Sequence, residues 1–225
     1  MTINSEDLLN SILNSLERIQ HVESEDIPNI DLYMDQVTTF MDNRLRSTLR
    51  YPTEDKVLTK TMINNYAKND LLPPPVKKKY SKEHVLLLIF IYYYKGVMSI
   101  NDIQTLLRPI TEKYFQSDVN FRLENIYDEV FSMEKAEIEY LKKDMIHKFK
   151  MAEDTFSDAS EADKEFLHKF SFICLLSYDV YVKKLIIEKM VDELAAAEKQ
   201  TSNEKHERKN DSGQEGTAKE KEEVS

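Results

Sequence analysis

The sequence contains one cysteine, three glycines, no tryptophan and no apolar run longer than residues 85–94. A single cysteine, Cys174, excludes an intrachain disulfide and any multi-cysteine zinc site, and fits a reducing compartment. Within "FSFICLLSY" it reads as a small buried hydrophobe rather than a reactive thiol. Glycine occurs only at Gly96, Gly213 and Gly216. Phosphate-cradling loops need several glycines at a strand-to-helix turn, which excludes the P-loop and dinucleotide folds. A bilayer span takes about 20 apolar residues, and the start "MTINSEDLLNSIL" has no basic stretch ahead of an apolar one. The expectation is a soluble, cytoplasmic protein with no membrane partner.

What is present is enough apolar material for a core, 41% of 225 residues, and a net charge of -10 that repels polyanions on average. The charge is unevenly spread. Residues 44–83 hold ten basic residues against four acidic ones, a local +6 in a chain whose remainder is -16. Charges within a Debye length of about 8 Å set the field at contact, so this stretch is a candidate polyanion-binding face.

Helical period dominates. Leu8, Leu9, Ile12, Leu13, Leu16 and Ile19 predict a helix over about 6–20 behind Ser5. A second is expected over 31–46, capped by Asp31, with Tyr33, Val37, Phe40 and Met41 inward. "STLRYPTEDKVL" has no period and reads as a connection. "LTKTMINNYAKNDLL" predicts a helix over 59–69, Met62, Ile63, Tyr66 and Ala67 on one arc and Thr61, Asn64, Asn65 and Lys68 on the other. Pro73, Pro74 and Pro75 are expected to end it.

"SKEHVLLLIFIYYYKG" is apolar nearly all round and predicts a central core helix, capped by Ser81 and stopped at Gly96. Ser99 with Asp102 resembles a capping box opening "INDIQTLLR", which Pro109 is expected to close. Two long helices follow, over about 120–150 and 161–199. In the second, Phe166, Phe170, Ile173, Leu176, Val180, Leu185 and Ile187 are expected inward. From Gln200 the polar tail reads as disordered. The expected organisation is an N-terminal helix over 1–28, a DNA-binding domain over 29–112, a helical dimerisation or effector region over 119–199 and a tail over 200–225.

The 59–69 helix presents amides that can pair bidentately with adenine edges, beside hydroxyl and ammonium groups that hold phosphates. An ordinary solvated helix face has the same composition, so the helix alone does not decide. Next to it, "LLPPPVKKKYS" places Lys77, Lys78 and Lys79 on a short loop behind three prolines and ahead of Tyr80. Each lysine that neutralises a phosphate adds affinity through counterion release. An SH3-type ligand would need a PxxP register and a free segment, and a nuclear signal would rest on three lysines alone.

The run from "MINNYAKNDLLPPPVKKKYS" through "GVMSINDIQTLL" resembles the DNA-binding domain of MerR-type regulators: a recognition helix, a Leu-Leu-Pro exit, a basic wing ending in tyrosine, a core helix, then Gly-x-x-Ser-x-x-Asp-Ile-x-x-Leu-Leu. Gly96, Ser99, Ile103, Leu106 and Leu107 match the last portion. The chain is also similar to a bacterial family of uncharacterised domain-of-unknown-function proteins carrying "LTKTMINNY" and "PPxKKKYS" blocks. The resemblance covers about residues 30–108 and implies a mainly α fold with a winged helix-turn-helix. It also implies double-stranded DNA as partner, with Lys60, Thr61, Asn64, Asn65 and Lys68 on the reading helix and Lys77, Lys78, Lys79 and Tyr80 on the wing. The chain departs from the family between residues 46 and 59, where a tight turn is usual.

"DMIH" and "EFLH" place carboxylates three residues before His147 and His168, the step used by di-iron bundles, but amid polar residues near a connection. No cofactor or metal is expected, and no nucleophile, base and orienter constellation marks an enzyme. The expected protein is a homodimeric transcriptional regulator with an effector of unassigned identity. The competing class is a helical interaction protein using the winged fold as scaffold.

Overall fold

The computed structural model describes residues 5–17, 22–118 and 120–219. Among them are seven α-helices and one antiparallel two-stranded sheet, so the chain is mainly α. Helix α1, Ser5–Glu17, follows the expected apolar stripe; residues 18–21, with Ile19, lie outside the described residues.

The second expected helix begins later than its sequence suggests. Leu32–Tyr33 is strand β1, and α2 is Met34–Leu45. Asp31 therefore does not cap it; the Tyr33 amide donates to Gln36 Oε1 at 2.8 Å instead. Strand β1 pairs with β2, Lys79–Tyr80, in the register Leu32 with Tyr80 and Tyr33 with Lys79. Leu32 and Tyr80 point into the core, and strand alternation turns Tyr33 outward to 55% exposure, where an inward side chain was expected.

Helix α3, Lys60–Lys68, is capped by Thr59, whose Oγ1 accepts the Met62 amide at 3.2 Å. The prolines do not end it. Asp70 takes a φ of 53°, and the Leu71 and Asp70 amides donate back to the Tyr66 and Ala67 carbonyls at 2.9 and 3.4 Å, a Schellman closure completed before Pro73.

Helix α4, Lys82–Tyr94, is the centre of the core. Residues 84–91 are all buried, more than two full turns, so every side of the helix is covered. At about 1.5–3 kcal/mol for each large apolar side chain withdrawn from water, no other helix contributes more to the fold. Met41, Ile63, Ile103, Leu107 and Tyr127 pack around it. Gly96 has no positive φ; the α4 end is closed by the Val97 and Met98 amides, both on the Tyr94 carbonyl at 2.9 Å.

Helix α5, Ile100–Tyr114, opens on the expected reciprocal bonds between Ser99 and Asp102, each 3.2 Å, but runs through Pro109. The proline removes one hydrogen bond; Ile110 and Tyr114, packed against the same core beyond it, offset that loss.

Helix α6, Leu123–Glu153, joins two clusters. Its first turns bury Leu123, Tyr127 and Phe131 in the main core, where the Tyr127 hydroxyl donates to the Val22 carbonyl at 2.5 Å. Its last turns place Phe149 and Ala152 against Phe172, with Leu9 and Ile12 of α1 alongside.

Helix α7 is Glu161–Lys219. Its helical backbone continues past Gln200 into the segment whose polarity reads as disorder. Two compact units are distinguished, residues 1–184 and 185–225. In the first, Phe172 is buried and Leu176 half-buried, whereas Phe166, Phe170, Ile173 and Val180, expected inward, are exposed, and Cys174 with them. The period locates apolar positions, but this helix has two apolar faces and only one meets the core. In the second unit Leu185, Ile186, Met190 and Leu194 are exposed. No helix among the described residues is long and apolar enough to cross a membrane.

Candidate nucleic-acid interface

Helix α3 divides as its sequence requires. Ile63 and Tyr66 are buried and hold it to the core, while Lys60, Thr61, Asn64, Asn65 and Lys68 face solvent. Gln104 of α5 donates to the Asn69 carbonyl at 3.0 Å and fixes the far end.

The lysine segment forms a minimal hairpin. Val76 and Lys79 exchange two backbone bonds, 2.9 and 3.1 Å, around Lys77 and Lys78, whose φ angles are 50° and 63°. Positive φ at both central residues defines a type I′ turn, normally occupied by Asn-Gly. Here two lysines occupy it, with both side chains in solvent. Backbone strain of this kind concentrates where a site requires particular side chains.

Two contacts place the hairpin relative to α3. Lys79 Nζ stands 5.3 Å over the Tyr33 ring, and Lys60, at the head of α3, forms an ion pair with Asp35. Tyr33, the last residue of β1, is the N-cap of α2, and Asp35 is in the first turn of that helix. The hairpin base and the head of the polar helix are therefore anchored to one spot.

Tyr80 does not reach outward with the lysines. It is 2% exposed, because its register with Leu32 turns it inward, and burial raises its hydroxyl pKa. Its ring meets His84 edge-on at 5.4 Å, and His84 meets Phe115 at 4.8 Å. The Ser81 amide donates to His84 Nδ1 at 3.0 Å, which leaves the ring proton on Nε2, buried on the side of the Pro73 and Pro74 carbonyls. Burial pushes the His84 pKa down, opposed by the Pro74 and Pro73 carbonyls and by Asp31. A neutral histidine thus supports the hairpin from below.

Sequence reasoning missed a groove between α2 and α3, about 510 Å³, lined by Thr38, Arg46, Lys56, Thr59, Lys60 and Thr61 among others. The long α2–α3 connection builds it. Val57 and Leu58 are buried, Lys95 Nζ donates to the Val57 carbonyl at 3.1 Å, and Arg46 reaches both Asp42 and the Pro52 carbonyl, the latter at 2.8 Å. The basic composition of residues 44–83 is the one signal of it in the sequence; the connection has no period that would show Arg46 and Lys56 converging on α3.

The histidine steps on α6 and α7 assemble no metal centre: no group of three His, Cys, Asp or Glu side chains among the described residues could hold an ion. His168 Nε2 is engaged with the Thr155 carbonyl at 3.0 Å.

The fold and this surface define a helical protein with an exposed polar helix beside a basic hairpin. Over residues 22–130 it is similar to the family described as a domain of unknown function (DUF1836), a span that runs from ahead of β1 into α6 and includes the whole surface. No curated protein and no solved structure matches the chain.

Proposed function

We propose that the protein is a cytoplasmic, sequence-specific regulator that binds double-stranded DNA through a MerR-like winged helix-turn-helix. In this reading α2 and α3 form the helix-turn-helix, Thr61, Asn64, Asn65 and Lys68 face base edges in the major groove, and the Lys77–Lys78 hairpin is a wing on the phosphate backbone. The observation that carries it is the shared anchor at Tyr33 and Asp35, which brings hairpin base and helix head to the same end of α2. Lys60, Lys56 and Arg46 extend the basic surface along the groove beside α3.

The outward stripe of α7, with Phe166, Phe170, Ile173, Val180 and Tyr181 exposed, supports a second copy as partner. Contiguous exposed apolar surface of this kind marks an association face, and a two-fold dimer would carry two reading helices to half-sites about one DNA turn, roughly 34 Å, apart. Ile173→Asp with Val180→Asp should convert the dimer to monomer in sedimentation velocity while leaving helicity unchanged.

Duplexes selected from a random pool, followed by gel shifts at two salt concentrations, test the DNA reading. Binding should weaken steeply with salt, and replacing Lys77, Lys78 and Lys79 by Ala should flatten log K against log salt by about 0.9 for each phosphate no longer neutralised. Failure to enrich any duplex, with the apolar stripe still associating, would favour the winged fold as a protein-contact scaffold.

A further inference from the structure

We propose that the apolar cavity walled by α1, α6 and α7 binds one small, uncharged, largely apolar molecule, of about the size of two aromatic rings. The cavity measures about 280 Å³ and is lined by Leu8, Ile12, Phe149, Ala152, Phe172 and Leu176. Phe149, Ala152 and Phe172 are buried and form its floor. Charged groups stand at its edge and are engaged or solvated: Lys169 pairs with Glu165 at 2.6 Å, His168 is held on the Thr155 carbonyl, and Glu153 is exposed. Nothing in the wall selects a charge. An apolar cavity of about 150 Å³ stays dry and takes benzene, so this one has room for roughly twice that.

The dimensions favour a small molecule over a protein segment. Helices close the space on three sides, and a helix is about 10–12 Å across with its side chains, too wide to enter. Apart from Ile173, the exposed stripe of α7 lies outside the cavity and is left for a second copy. The opening also persists by virtue of a residue choice. Ala152 is buried in the same cluster as Phe149 and Phe172, whose rings meet edge-on at 5.4 Å, and lines the cavity with them; a larger aliphatic side chain there would fill part of the void, and cavity filling is a common route to added stability.

One side chain connects this cavity to the exposed stripe. Ile173 lines the cavity and is itself 60% exposed beside Phe170. A bound molecule would touch the cavity side of this one residue and leave the rest of the stripe free; the cavity does not depend on the dimer reading.

Titration of the full chain with N-phenyl-1-naphthylamine, in the absence of DNA, tests the site. The expected result is a saturable rise in fluorescence at one dye per chain, weakened at least tenfold by Ala152→Leu and unchanged by Val180→Asp, which lies on the stripe outside the cavity. If Ala152→Leu loses helicity, Leu8→Trp, at the half-buried rim, provides the block. Absence of saturation, dye binding that survives the filled cavity, or binding that disappears in Val180→Asp would overturn the proposal, the last by placing the dye on the outer stripe. The DNA reading stands or falls separately, since no duplex is present in the measurement.

Discussion

Replacing Lys77 by Asn and Lys78 by Gly should make the protein more stable and a poorer DNA binder at once. Both lysines sit at positive φ, 50° and 63°, where an L-residue with a Cβ is disfavoured by roughly 1–2 kcal/mol. Asparagine tolerates that region and glycine enters it freely. Part of the relief returns as unfolded-chain entropy at the new glycine, leaving a net gain of about 1 kcal/mol, a rise of about 2–4 °C in Tm for a chain of this size. Removing the two ammonium groups acts in the other direction: the slope of log K against log salt should flatten by about 1.8, from 0.9 per neutralised phosphate. Thermal unfolding by circular dichroism reads the first effect and a salt series of binding isotherms the second. A lower Tm would refute the strained-turn argument, and an unchanged salt slope would refute the wing.

Two further outcomes follow from the core beneath this surface. Burial holds the His84 pKa below the ordinary histidine value of 6.5; the unfolded chain therefore binds more protons, and its contribution to stability is full above about pH 6.5 and declines as pH falls below it. Tm measured from pH 8 to 5 should show that decline, and His84→Gln should reduce its slope near pH 6; an unaltered slope would assign the effect elsewhere. Tyr127→Phe leaves the Val22 carbonyl without the hydroxyl that donates to it at 2.5 Å. It should cost about 1–3 kcal/mol, the penalty for a buried acceptor left unsatisfied, visible as a lower urea midpoint at constant m-value.

The parts of the fold readable from sequence are those whose cause is local. The two arcs of α3, the reciprocal Ser99 and Asp102 bonds and the all-round burial of α4 each depend on residues within a few turns of one another. The β1–β2 pairing depends on Leu32 meeting Tyr80, which no window of periodicity contains, and it reverses the expected side for both Tyr33 and Tyr80. Turn chemistry misleads in a different way, since two lysines carry none of the composition that marks a type I′ turn. Pro109 reads as a terminator because its cost is intrinsic, whereas the contacts of Ile110 and Tyr114 that outweigh it are tertiary. For α7, hydrophobicity is legible and direction is not: two apolar faces predict burial equally, and one core can cover only one of them.

The connection from Arg46 to Thr59 has a practical consequence. Its ends are fixed, by Arg46 on Asp42 and by Val57 and Leu58 in the core, while residues 50–56 between them stand in solvent. Arg46 also holds the Pro52 carbonyl, but a solvent-exposed connection fixed at both ends can still be lengthened at its tip at little entropic cost. This makes the tip an attachment point for a fluorophore or epitope close to α3, from which its surroundings can be monitored without altering the helix.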